Sequence, residues 1–343
     1  MKALALTAQN TFELQQAPDP VPGPNEVLVR VAACGICGSD VHGMDGSTGR
    51  RRPPIIMGHE AAGTIEAVGS AAAAWECGAR VTFDSTVYCG RCDYCREGRV
   101  NLCEQRRVLG VSCEEYRRHG AFAEYVAVPQ HILYRLPGNL TFEHAAMVEP
   151  VSIAVHAVSR AHVGEDDSAL VVGSGMIGLL IVQVLRFKGC HSIIAVDIDA
   201  SRLEMAGRFG AHVLLNANEV NVPEAVREHT GGRGADAAFE VVGTSAALMN
   251  AIQSLRKGGG VTLVGNLASM AEVPLQAIVT RELSLYGSCA SCGEYPECLR
   301  LMAEGAIDVA PLISAVAPLD EGAEWFARLY HREPGLMKVI LRP

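Results

Sequence analysis

The sequence predicts an α/β protein of two domains, one rich in β-strands and one in which strands and helices alternate. With 343 residues, the chain is longer than a single domain of ordinary size. Short strand patterns between glycine- and proline-rich turns fill its first third, and strands alternate with helical segments from about Ile153 to about Leu285. That alternation is typical of a parallel sheet built from βαβ units. We therefore expect residues 1–152 and 289–343 to form the β-rich domain and residues 153–288 to form the α/β domain.

The first third has the pattern of an all-β or barrel-like domain. Residues Glu26 to Val31 alternate polar and apolar side chains, as a half-buried strand does. Gly63 to Val68 and Arg80 to Phe83 are two further strand candidates, and a proline-rich stretch, Pro18 to Pro24, precedes all three. Short strands separated by turns of this kind favour a barrel.

The middle of the chain carries the alternating pattern. The predicted strands are Ala169–Val172, Ser192–Val196, Ala235–Val242 and Gly260–Val264, and the predicted helices are Leu179–Phe187 and Ser201–Phe209. Gly210 directly follows the second helix, and glycine often ends a helix. Beyond Leu285 we expect two more helices, Pro296–Glu304 and Glu321–Tyr330, and a terminal strand, Met337–Leu341.

Composition and charge exclude several classes of protein. Hydrophobic residues make up 49% and charged residues 20% of the chain, which is a globular composition and not a disordered one. The net charge is −9, so the field of the protein repels nucleic acid and anionic membranes, and we expect neither as a partner. No apolar run reaches the ~18 residues of a membrane span, and the first residues lack a signal-peptide pattern. Twelve cysteines then favour metal ligands in a reducing compartment, and we expect a cytoplasmic protein.

Gly173, Gly175 and Gly178 form a GxGxxG between a predicted strand and a predicted helix. The first glycine permits a tight turn, the second lets a pyrophosphate approach the backbone, and the third lets the helix pack closely on the strand. The N-terminus of the helix then presents N–H groups and a partial positive charge to the phosphates. We therefore predict a dinucleotide site, which includes Met176 and Ile177 at the start of the helix.

An acidic residue, Asp197, ends the second strand of this region, 19 positions beyond Gly178. Its carboxylate can accept hydrogen bonds from ribose hydroxyls and would repel a 2′-phosphate, so the predicted cofactor is NAD and not NADP. Arg202 is assigned to cover the adenosine, and Val242 and Gly265 complete the predicted cofactor site. The alternative is a structural glycine turn followed by a solvated aspartate at a helix cap.

Cys89, Cys92, Cys95 and Cys103 have the spacing C-x2-C-x2-C-x7-C. Four thiolates so close in sequence can surround one tetrahedral Zn²⁺, and a site closed by four sulfur ligands is structural. An iron–sulfur cluster and a metal-free cysteine-rich loop are the alternatives. A zinc knuckle of this kind can also bind nucleic acid, but few aromatic residues surround it and the chain is acidic. We interpret the arginines around it as a solvated surface.

A second group of candidate metal ligands is spread over three segments. Cys37 follows the first predicted strand, His59 and Glu60 follow a proline-rich turn, and Glu149 lies just before the α/β domain. One cysteine, one histidine and one carboxylate would leave zinc a fourth position, as catalytic sites do. Alternatively, His59 is a structural histidine and Glu149 is a salt-bridged or capping residue.

The segment Gly58–Gly63 (GHEAAG), followed by Gly69 and Ala72, resembles the signature of zinc-dependent alcohol dehydrogenases in the medium-chain dehydrogenase/reductase superfamily. The Cys37 loop, the four cysteines and the GxGxxG also occur in the order that this family has. The resemblance extends along essentially the whole chain.

Within that family, Glu149-Pro150 followed by Ser152 and His156 is similar to the sorbitol (polyol) dehydrogenase branch. In that branch, a glutamate replaces the cysteine that alcohol dehydrogenases use as the third zinc ligand. The resemblance therefore implies a GroES-like β-barrel catalytic domain plus a Rossmann NAD-binding domain. It also implies an enzyme that acts on a small-molecule alcohol or ketone, and a homodimer or homotetramer.

The resemblance implies two zinc ions per subunit. The catalytic ion would be held by Cys37, His59 and either Glu149 or Glu60, since family members differ in which glutamate touches zinc. The structural ion would be held by the four cysteines, in a lobe at about residues 88–104. Cys34 is not expected to be a ligand, because the family uses the second cysteine of this loop.

The resemblance also implies a path for the substrate proton. Ser39 would start a relay through the nicotinamide ribose to His42 at the surface, and Asp40 would orient His59. The alternative is that Ser39 caps a turn and that His42 is an ordinary loop residue.

The substrate is less sharply indicated. Polyol dehydrogenases often carry an aromatic residue where this chain has Gly43, and an Arg-Tyr pair where it has Ala290-Ser291. We therefore expect NAD-dependent oxidation of a secondary alcohol to a ketone, on a sugar alcohol or sugar derivative and not necessarily sorbitol. A 2,3-butanediol or L-threonine dehydrogenase is the alternative enzyme, and a non-catalytic redox sensor that binds zinc and NAD is the alternative class. The basic run Arg50–Arg52 is interpreted as a solubilising surface loop, with an anionic substrate as the alternative.

Overall fold

The computed structural model describes residues 1–111 and 118–343. Two compact units are present. The first comprises Met1–Glu149, Tyr295–Glu304 and Asp308–Pro343, so segments from early and late in the sequence both contribute to it. The second comprises Pro150–Glu294 and Gly305–Ile307.

Strands and helices account for most of the described chain. The strands are β1 Lys2–Ala8, β2 Thr11–Gln16, β3 Glu26–Gly35, β4 Ile55–Ile56, β5 Glu60–Val68, β6 Arg80–Phe83, β7 Thr86–Val87, β8 Arg107–Val108, β9 Tyr125–Pro129, β10 Leu133–Arg135, β11 Ser168–Val172, β12 Ser192–Asp197, β13 Val213–Asn216, β14 Ala235–Glu240, β15 Leu255–Leu263, β16 Ser284–Gly287, β17 Ile313–Pro318 and β18 Lys338–Arg342. The α-helices are α1 Gly38–Gly43, α2 Asp93–Arg96, α3 Phe142–Ala146, α4 Val148–Arg160, α5 Met176–Phe187, α6 Ala200–Phe209, α7 Val222–His229, α8 Ser245–Ser254, α9 Leu275–Thr280, α10 Tyr295–Ala303 and α11 Gly322–Tyr330. Among the described residues, no helix has both the length and the apolar character needed to cross a bilayer.

The first unit is built on two sheets with a shared apolar core. A seven-stranded sheet has the order β10-β6-β5-β3-β18-β17, with β9 also paired to β3, and a three-stranded sheet has the order β2-β1-β4. The long strand β3 pairs with β5, β9 and β18, all antiparallel, so it ties together distant parts of the sequence. The core includes Leu4, Met57, Phe83, Phe122 and Phe326, all of them buried.

The second unit is a six-stranded sheet of order β13-β12-β11-β14-β15-β16, in which every neighbouring pair is parallel. The order reverses between β11 and β14, and in sheets of this kind ligands bind at the carboxyl ends of the strands near such a reversal. Buried aliphatic residues such as Leu170, Ile194 and Val261 form its core. Buried strands with apolar runs are what parallel pairing covered by helices requires.

Every element predicted from the sequence has a counterpart, and the differences have local causes. Strand β5 begins at Glu60, three residues before the predicted start, and β15 begins at Leu255, five residues before the predicted Gly260. Strand β1 and helix α4 are among the elements that have no counterpart in the predictions. Helix α4 escapes prediction because Pro150 suggests a break, yet Pro150 lies in the first turn, where the missing N–H costs no hydrogen bond.

One carboxylate connects three strands of the second unit at their amino ends. Asp236 Oδ2 accepts hydrogen bonds from the Ser168 N–H (2.9 Å) and hydroxyl (2.8 Å), and Arg256 forms an ion pair with Asp236 Oδ1. Burial raises the pKa of Asp236, but the hydrogen bonds from Ser168 and the Arg256 charge outweigh it and lower this pKa below its ordinary value of 3.8. The depressed pKa means that the charged form stabilises the fold.

We expect Asp236→Asn to destabilise the protein by about 1–2 kcal/mol at pH 7. Because the folded pKa is depressed, the contribution of Asp236 is fully present above pH 3.8 and is lost as the pH falls through the folded value. The gap between wild type and variant should therefore close below about pH 4. Urea unfolding at pH 7, 5 and 3 measures it, with the exposed Asp166→Asn as control. A gap that stays constant at pH 3 would contradict this assignment.

Candidate active site

Three of the predicted metal ligands lie together in the first unit. The candidate ligand atoms of Cys37, His59 and Glu60 are all within 4.8 Å of one another. Cys37 is the N-cap of α1, directly after β3, and Glu60 is the first residue of β5. The antiparallel pairing of these strands sets Gly35 opposite Glu60, so the end of one strand meets the beginning of the other. The cluster is thus a consequence of strand register.

Two glycines make room for this cluster. Gly58 has φ +97°, and a Cβ there would lie 2.8 Å from both Cys34 Sγ and the Phe122 amide nitrogen. A Cβ on Gly35 would lie 2.4 Å from Glu60 Oε2. Gly58 therefore requires glycine, and a larger residue at Gly35 would displace the Glu60 carboxylate.

His59 is oriented by a buried carboxylate. Its Nδ1 lies 3.3 Å from Asp40 Oδ2, and among the described residues neither atom has another hydrogen-bond partner. With Nδ1 facing Asp40, the Nε2 lone pair is the one available to a metal. Burial alone would raise the pKa of the Asp40 carboxyl, but the charges of His59 and Arg51 bring it down to about 2. Asp40 therefore lies where its carboxylate can orient the His59 ring, the role that the sequence predicts for it.

Arg51 corrects the interpretation of residues 50–52 as a surface loop. Its side chain is only 3% exposed and forms an ion pair with Asp40 Oδ1 at 2.6 Å, whereas Arg50 and Arg52 are exposed. Three consecutive residues of one type carry no sequence signal that singles out the middle one. The pairing depends on where the loop places Asp40.

Lys338 is a second functional neighbour that sequence reasoning does not find. Its Nζ donates hydrogen bonds to Glu60 Oε2 at 2.6 Å and to the Ile36 carbonyl at 3.0 Å, and both charged side chains are buried. Although burial favours the neutral amine, the charges of Glu60 and Cys37 raise the pKa of Lys338 above its ordinary value. Lys338 is therefore a fixed cation beside Glu60. The signal in the sequence is weak: one lysine at the start of a strand whose next three residues are apolar.

Glu149 lies in the first turn of α4 and outside the set of atoms within 4.8 Å. Burial raises the pKa of its carboxyl to about 7, against the lowering effect of the charges of His59 and Lys338. Both candidate glutamates thus belong to one electrostatic cluster, but the structure brings only Glu60 into ligand distance of Cys37 and His59.

The two relay residues lie on α1. Ser39 Oγ is 3.2 Å from Cys37 Sγ and 3.1 Å from Arg51 Nη2. His42, one turn later, is exposed to solvent. This places a hydroxyl beside the candidate metal ligand and an imidazole at the surface of the same helix.

The four cysteines form a second candidate metal site. Their Sγ atoms lie within 4.8 Å of one another, with Cys92 and Cys95 at 3.5 Å. Hydrogen bonds from the N–H groups of Arg91 and Cys92 lower the pKa of Cys89 to about 6, whereas burial and the neighbouring Cys92 raise that of Cys95 to about 12. Thiols this close cannot all ionise without a cation between them, and four sulfur ligands in such a group are the donor set that zinc prefers.

The glycine loop of the second unit has the geometry of a dinucleotide site. Gly173 has φ +102°, and a Cβ on Gly178 would lie 1.8 Å from the Gly173 carbonyl oxygen, so helix α5 approaches the loop too closely for any side chain. Gly175, the N-cap of α5, has open space within 4 Å of its missing Cβ, as far as the described residues show. Met176 and Ile177 begin α5, whose first N–H groups have no side-chain cap among those residues. The loop thus offers N–H groups to an anion.

Two buried carboxylates lie at strand ends of this sheet: Asp197 at the end of β12, and Glu240, which was not predicted from the sequence, at the end of β14. Asp197 Oδ2 accepts a hydrogen bond from the Ser174 N–H at 2.6 Å, so the carboxylate is fixed against the glycine loop. Glu240 is buried at the end of β14, and its Oε1 accepts hydrogen bonds from the N–H groups of Val242 and Gly243. A Cβ on Gly265 would lie 2.1 Å from the Gly243 nitrogen. Val242 and Gly265 thus lie at one end of the sheet.

Arg202 lies near the same strand end, in the first turn of α6. Its Nε is 3.8 Å from Asp199 Oδ2, and Asp199 is the N-cap of that helix. A second carboxylate, that of Asp199, therefore lies two positions after Asp197 in the sequence.

Known proteins match the chain along its length. Residues 23–138 match the alcohol dehydrogenase GroES-like domain, and residues 177–304 match the zinc-binding dehydrogenase family. The sorbitol dehydrogenase of Bacillus subtilis (strain 168) is 35% identical over 350 aligned positions, which cover 100% of this chain and 97% of that protein. The chain belongs to the zinc-binding alcohol dehydrogenase family. The expected pairing of a GroES-like β-barrel domain with a Rossmann domain is confirmed.

Solved structures of this family agree with the fold. A short chain alcohol dehydrogenase of Escherichia coli CFT073, complexed with NADH, has a TM-score of 0.93 at 30% identity, covering 100% of this chain and 99% of that one. Galactitol-1-phosphate dehydrogenase of Escherichia coli has a TM-score of 0.92 at 28% identity and covers 100% of both chains.

Proposed function

We propose that this chain oxidises a secondary alcohol to a ketone with NAD and zinc, and that its substrate is a sugar alcohol or sugar derivative. The observation that carries the proposal is that Cys37 and His59 lie together with Glu60 within 4.8 Å and with Glu149 in the same electrostatic cluster. Cysteine, histidine and one of these carboxylates would leave zinc one position for a substrate oxygen. Relatives named for sorbitol and for galactitol 1-phosphate support the substrate class. When bound, zinc supplies Lewis-acid polarisation of that oxygen and NAD accepts the hydride.

The side chains around the cluster have separate tasks in this proposal. Asp40 holds the His59 ring through Nδ1, so that Nε2 would be free to bind a zinc ion. Ser39 Oγ accepts the substrate proton and passes its own toward His42, which exchanges protons with solvent. Lys338 balances the charge of Glu60, and Cys37 contributes a thiolate.

We propose that Glu149 is the third protein ligand of the catalytic zinc. Glu60 is kept from binding the metal directly by its ion pair with Lys338. Lys338 Nζ lies 2.6 Å from Glu60 Oε2, so binding zinc through this oxygen would require the ion pair to open. Opening it would leave a buried ammonium without its counter-ion, which costs several kcal/mol.

The variants Glu149→Gln and Glu60→Gln should therefore lose different properties: zinc binding in the first and stability in the second. We expect Glu149→Gln to weaken binding of the catalytic zinc by at least about 100-fold, since even indirect partners contribute 10- to 100-fold. Glu60→Gln should retain the metal but lose about 3–5 kcal/mol of stability, because Lys338 loses its partner. Metal analysis after chelator competition and urea unfolding measure both effects. Glu66→Gln, an exposed change on the same strand, is the control. The reverse pattern would assign the ligand to Glu60.

For the cofactor, we propose that the pyrophosphate lies on Gly173–Gly178 and the N-terminus of α5, and that Asp197 binds the adenosine ribose. Both oxygens of Asp197 are already fixed by backbone N–H groups, so the carboxylate is held in place before NAD arrives. Arg202, Val242 and Gly265 flank this ribose position in the proposal. Two carboxylates, Asp197 and Asp199, would repel a 2′-phosphate, which favours NAD over NADP.

The decisive experiment follows NADH absorbance at 340 nm with sugar alcohols, their phosphates, aldonates, 2,3-butanediol and L-threonine, each with and without a zinc chelator. A polyol signal that the chelator abolishes is the expected result. A faster reaction with 2,3-butanediol or L-threonine would contradict the proposed substrate class and assign that compound as the better substrate. A silent panel, in a protein that binds two zinc ions, would contradict the proposed activity.

We also propose a cytoplasmic homodimer or homotetramer. None of the described cysteines forms a disulfide, which suits a reducing compartment. The edge strand β16 and exposed apolar side chains of the second unit, including Met270 (86% exposed) and Leu275 (68%), support association of copies through this unit. Light scattering after size-exclusion chromatography tests it, and a monomer at micromolar concentration would contradict it.

A further inference from the structure

Arg51 is a buried arginine in an otherwise polar loop. Its side chain is 3% exposed, and the side chains of Arg50 and Arg52 on either side are in solvent. A guanidinium removed from water is costly unless its donors are paired, so the identity of its partners is informative.

Both side-chain partners of Arg51 lie on α1. Nε donates a hydrogen bond to Asp40 Oδ1 at 2.8 Å, and Nη2 lies 2.6 Å from the same oxygen. Nη2 also donates to Ser39 Oγ at 3.1 Å, and Nη1 donates to the Arg50 carbonyl at 3.2 Å. One guanidinium thus joins the carboxylate that orients His59 to the hydroxyl that starts the relay.

The contact with Arg51 constrains the direction of the Ser39 hydroxyl hydrogen. A hydroxyl has one hydrogen and two lone pairs, and a guanidinium can only donate. Arg51 therefore occupies a lone pair of Ser39 Oγ, and the hydroxyl hydrogen must point elsewhere. Ser39 Oγ donates this hydrogen to Cys37 Sγ, 3.2 Å away. This leaves one lone pair for a substrate hydroxyl, which is the acceptor that a relay needs.

Gly43 provides the space for Arg51. A Cβ at Gly43 would lie 2.6 Å from Arg51 Cγ and 3.2 Å from Thr48 Oγ1. The backbone of Gly43 is not in the left-handed region, so its own conformation does not require glycine. The atom that a larger residue would displace is in the middle of the Arg51 side chain, which is buried and cannot swing aside.

We propose that Arg51 is a positioning residue for proton transfer: it fixes the Ser39 hydroxyl and the Asp40 carboxylate together, and Gly43 is the position that admits it. This inference rests on the proposed function, because Ser39 has a proton to accept only if the chain oxidises an alcohol. Arg51 acts through Ser39 and Asp40 and does not touch the substrate.

The first test is Arg51→Lys, which keeps the charge and loses the planar fork that reaches two partners. We expect kcat to fall between about 10- and 100-fold, as for a misplaced catalytic group, with KM for alcohol and NAD⁺ changed less than about threefold. Zinc content and NADH binding by fluorescence should match wild type. Arg50→Ala, which removes an exposed neighbour of the same charge, should leave all five values unchanged.

The second test is a double-mutant cycle between Gly43→Ala and Arg51→Ala, read by thermal unfolding as well as kcat. Alone, Gly43→Ala should lower the Tm and kcat, because the new methyl displaces Arg51. In the Arg51→Ala background, the same change should leave the Tm unchanged or raise it, since alanine is preferred to glycine in a helix. The sign of the effect on Tm therefore reverses if the two residues are coupled.

These outcomes separate the inference from the proposed function. A wild-type protein with no alcohol oxidation would count against the proposed function, and the Tm cycle would still test the coupling of Gly43 to Arg51. Wild-type activity that persists within twofold in Arg51→Lys would overturn the positioning role alone. Equal effects of Gly43→Ala on Tm in both backgrounds would overturn the coupling. If Arg51→Ala does not fold, the effect of Gly43→Ala on Tm is compared with that of Gly38→Ala, a glycine of the same helix with open space around its missing Cβ in the described part of the chain, and equal effects would overturn the coupling.

Discussion

Cys37→Ser should remove one of two bound zinc ions and lower kcat by on the order of 10³-fold or more. Cys37 is the thiolate of the cluster, and its Sγ lies within 4.8 Å of donor atoms of His59 and Glu60. A hydroxyl is a poor zinc ligand at neutral pH, so the site loses the charge that holds the metal. Polarisation of the substrate oxygen contributes several kcal/mol to the transition state, which is the size of the expected loss.

The measurement pairs zinc content with the rate of NADH formation on the best substrate of the panel. The melting temperature should fall less than in a variant of the four-cysteine site, because Cys37 lies at a helix cap and the surrounding unit has a large apolar core of its own. Cys77→Ser, an exposed cysteine of the same unit, is the matched control and should retain both zinc ions and full activity. A Cys37→Ser protein with one zinc fewer and undiminished kcat would refute the catalytic assignment of this site.

Cys95→Ser should have the opposite profile, a large loss of stability with a small effect on chemistry. Cys95 Sγ lies 3.5 Å from Cys92 Sγ and 4.0 Å from Cys89 Sγ, so it is central to the four-thiolate group. The surrounding segment has only a short helix, α2, and a single 3-10 turn of its own, and its local core is small. Metal binding therefore supplies folding free energy here, and we expect a loss of at least about 3 kcal/mol.

Zinc content, unfolding in urea, and limited proteolysis around residues 88–104 measure this effect. The protein that remains folded at low temperature should turn over substrate within a few-fold of wild type. Wild-type protein treated with a strong chelator should reproduce the loss of stability, which controls for the substitution itself. Unchanged stability together with a large fall in kcat would assign a catalytic role to the four cysteines.

The sequence predicts those sites whose residues lie close together along the chain. The four cysteines lie within fifteen residues, and the three glycines lie within six, so spacing alone indicates their geometry. The strand and helix patterns around the glycines are equally local, which is why β11, α5 and β12 are predicted within a few residues.

Long-range pairing accounts for what sequence reasoning misses. Lys338 reaches Glu60 across 278 positions because β18 pairs with β3, and no pattern near Lys338 indicates that pairing. Arg51 is indistinguishable from Arg50 and Arg52 until the loop is folded. Glu240 resembles any acidic residue at a strand end, and only the N–H groups of Val242 and Gly243 that it accepts from explain its burial.

The ion pair between Lys338 and Glu60 also has a consequence for the order of events during synthesis. The ribosome makes Cys37, His59 and Glu60 early, but the cation that compensates Glu60 emerges almost three hundred residues later. By then the whole second unit has been translated. Glu60 is therefore without its compensating cation for most of synthesis, and the buried ion pair can form only after β18 has been made.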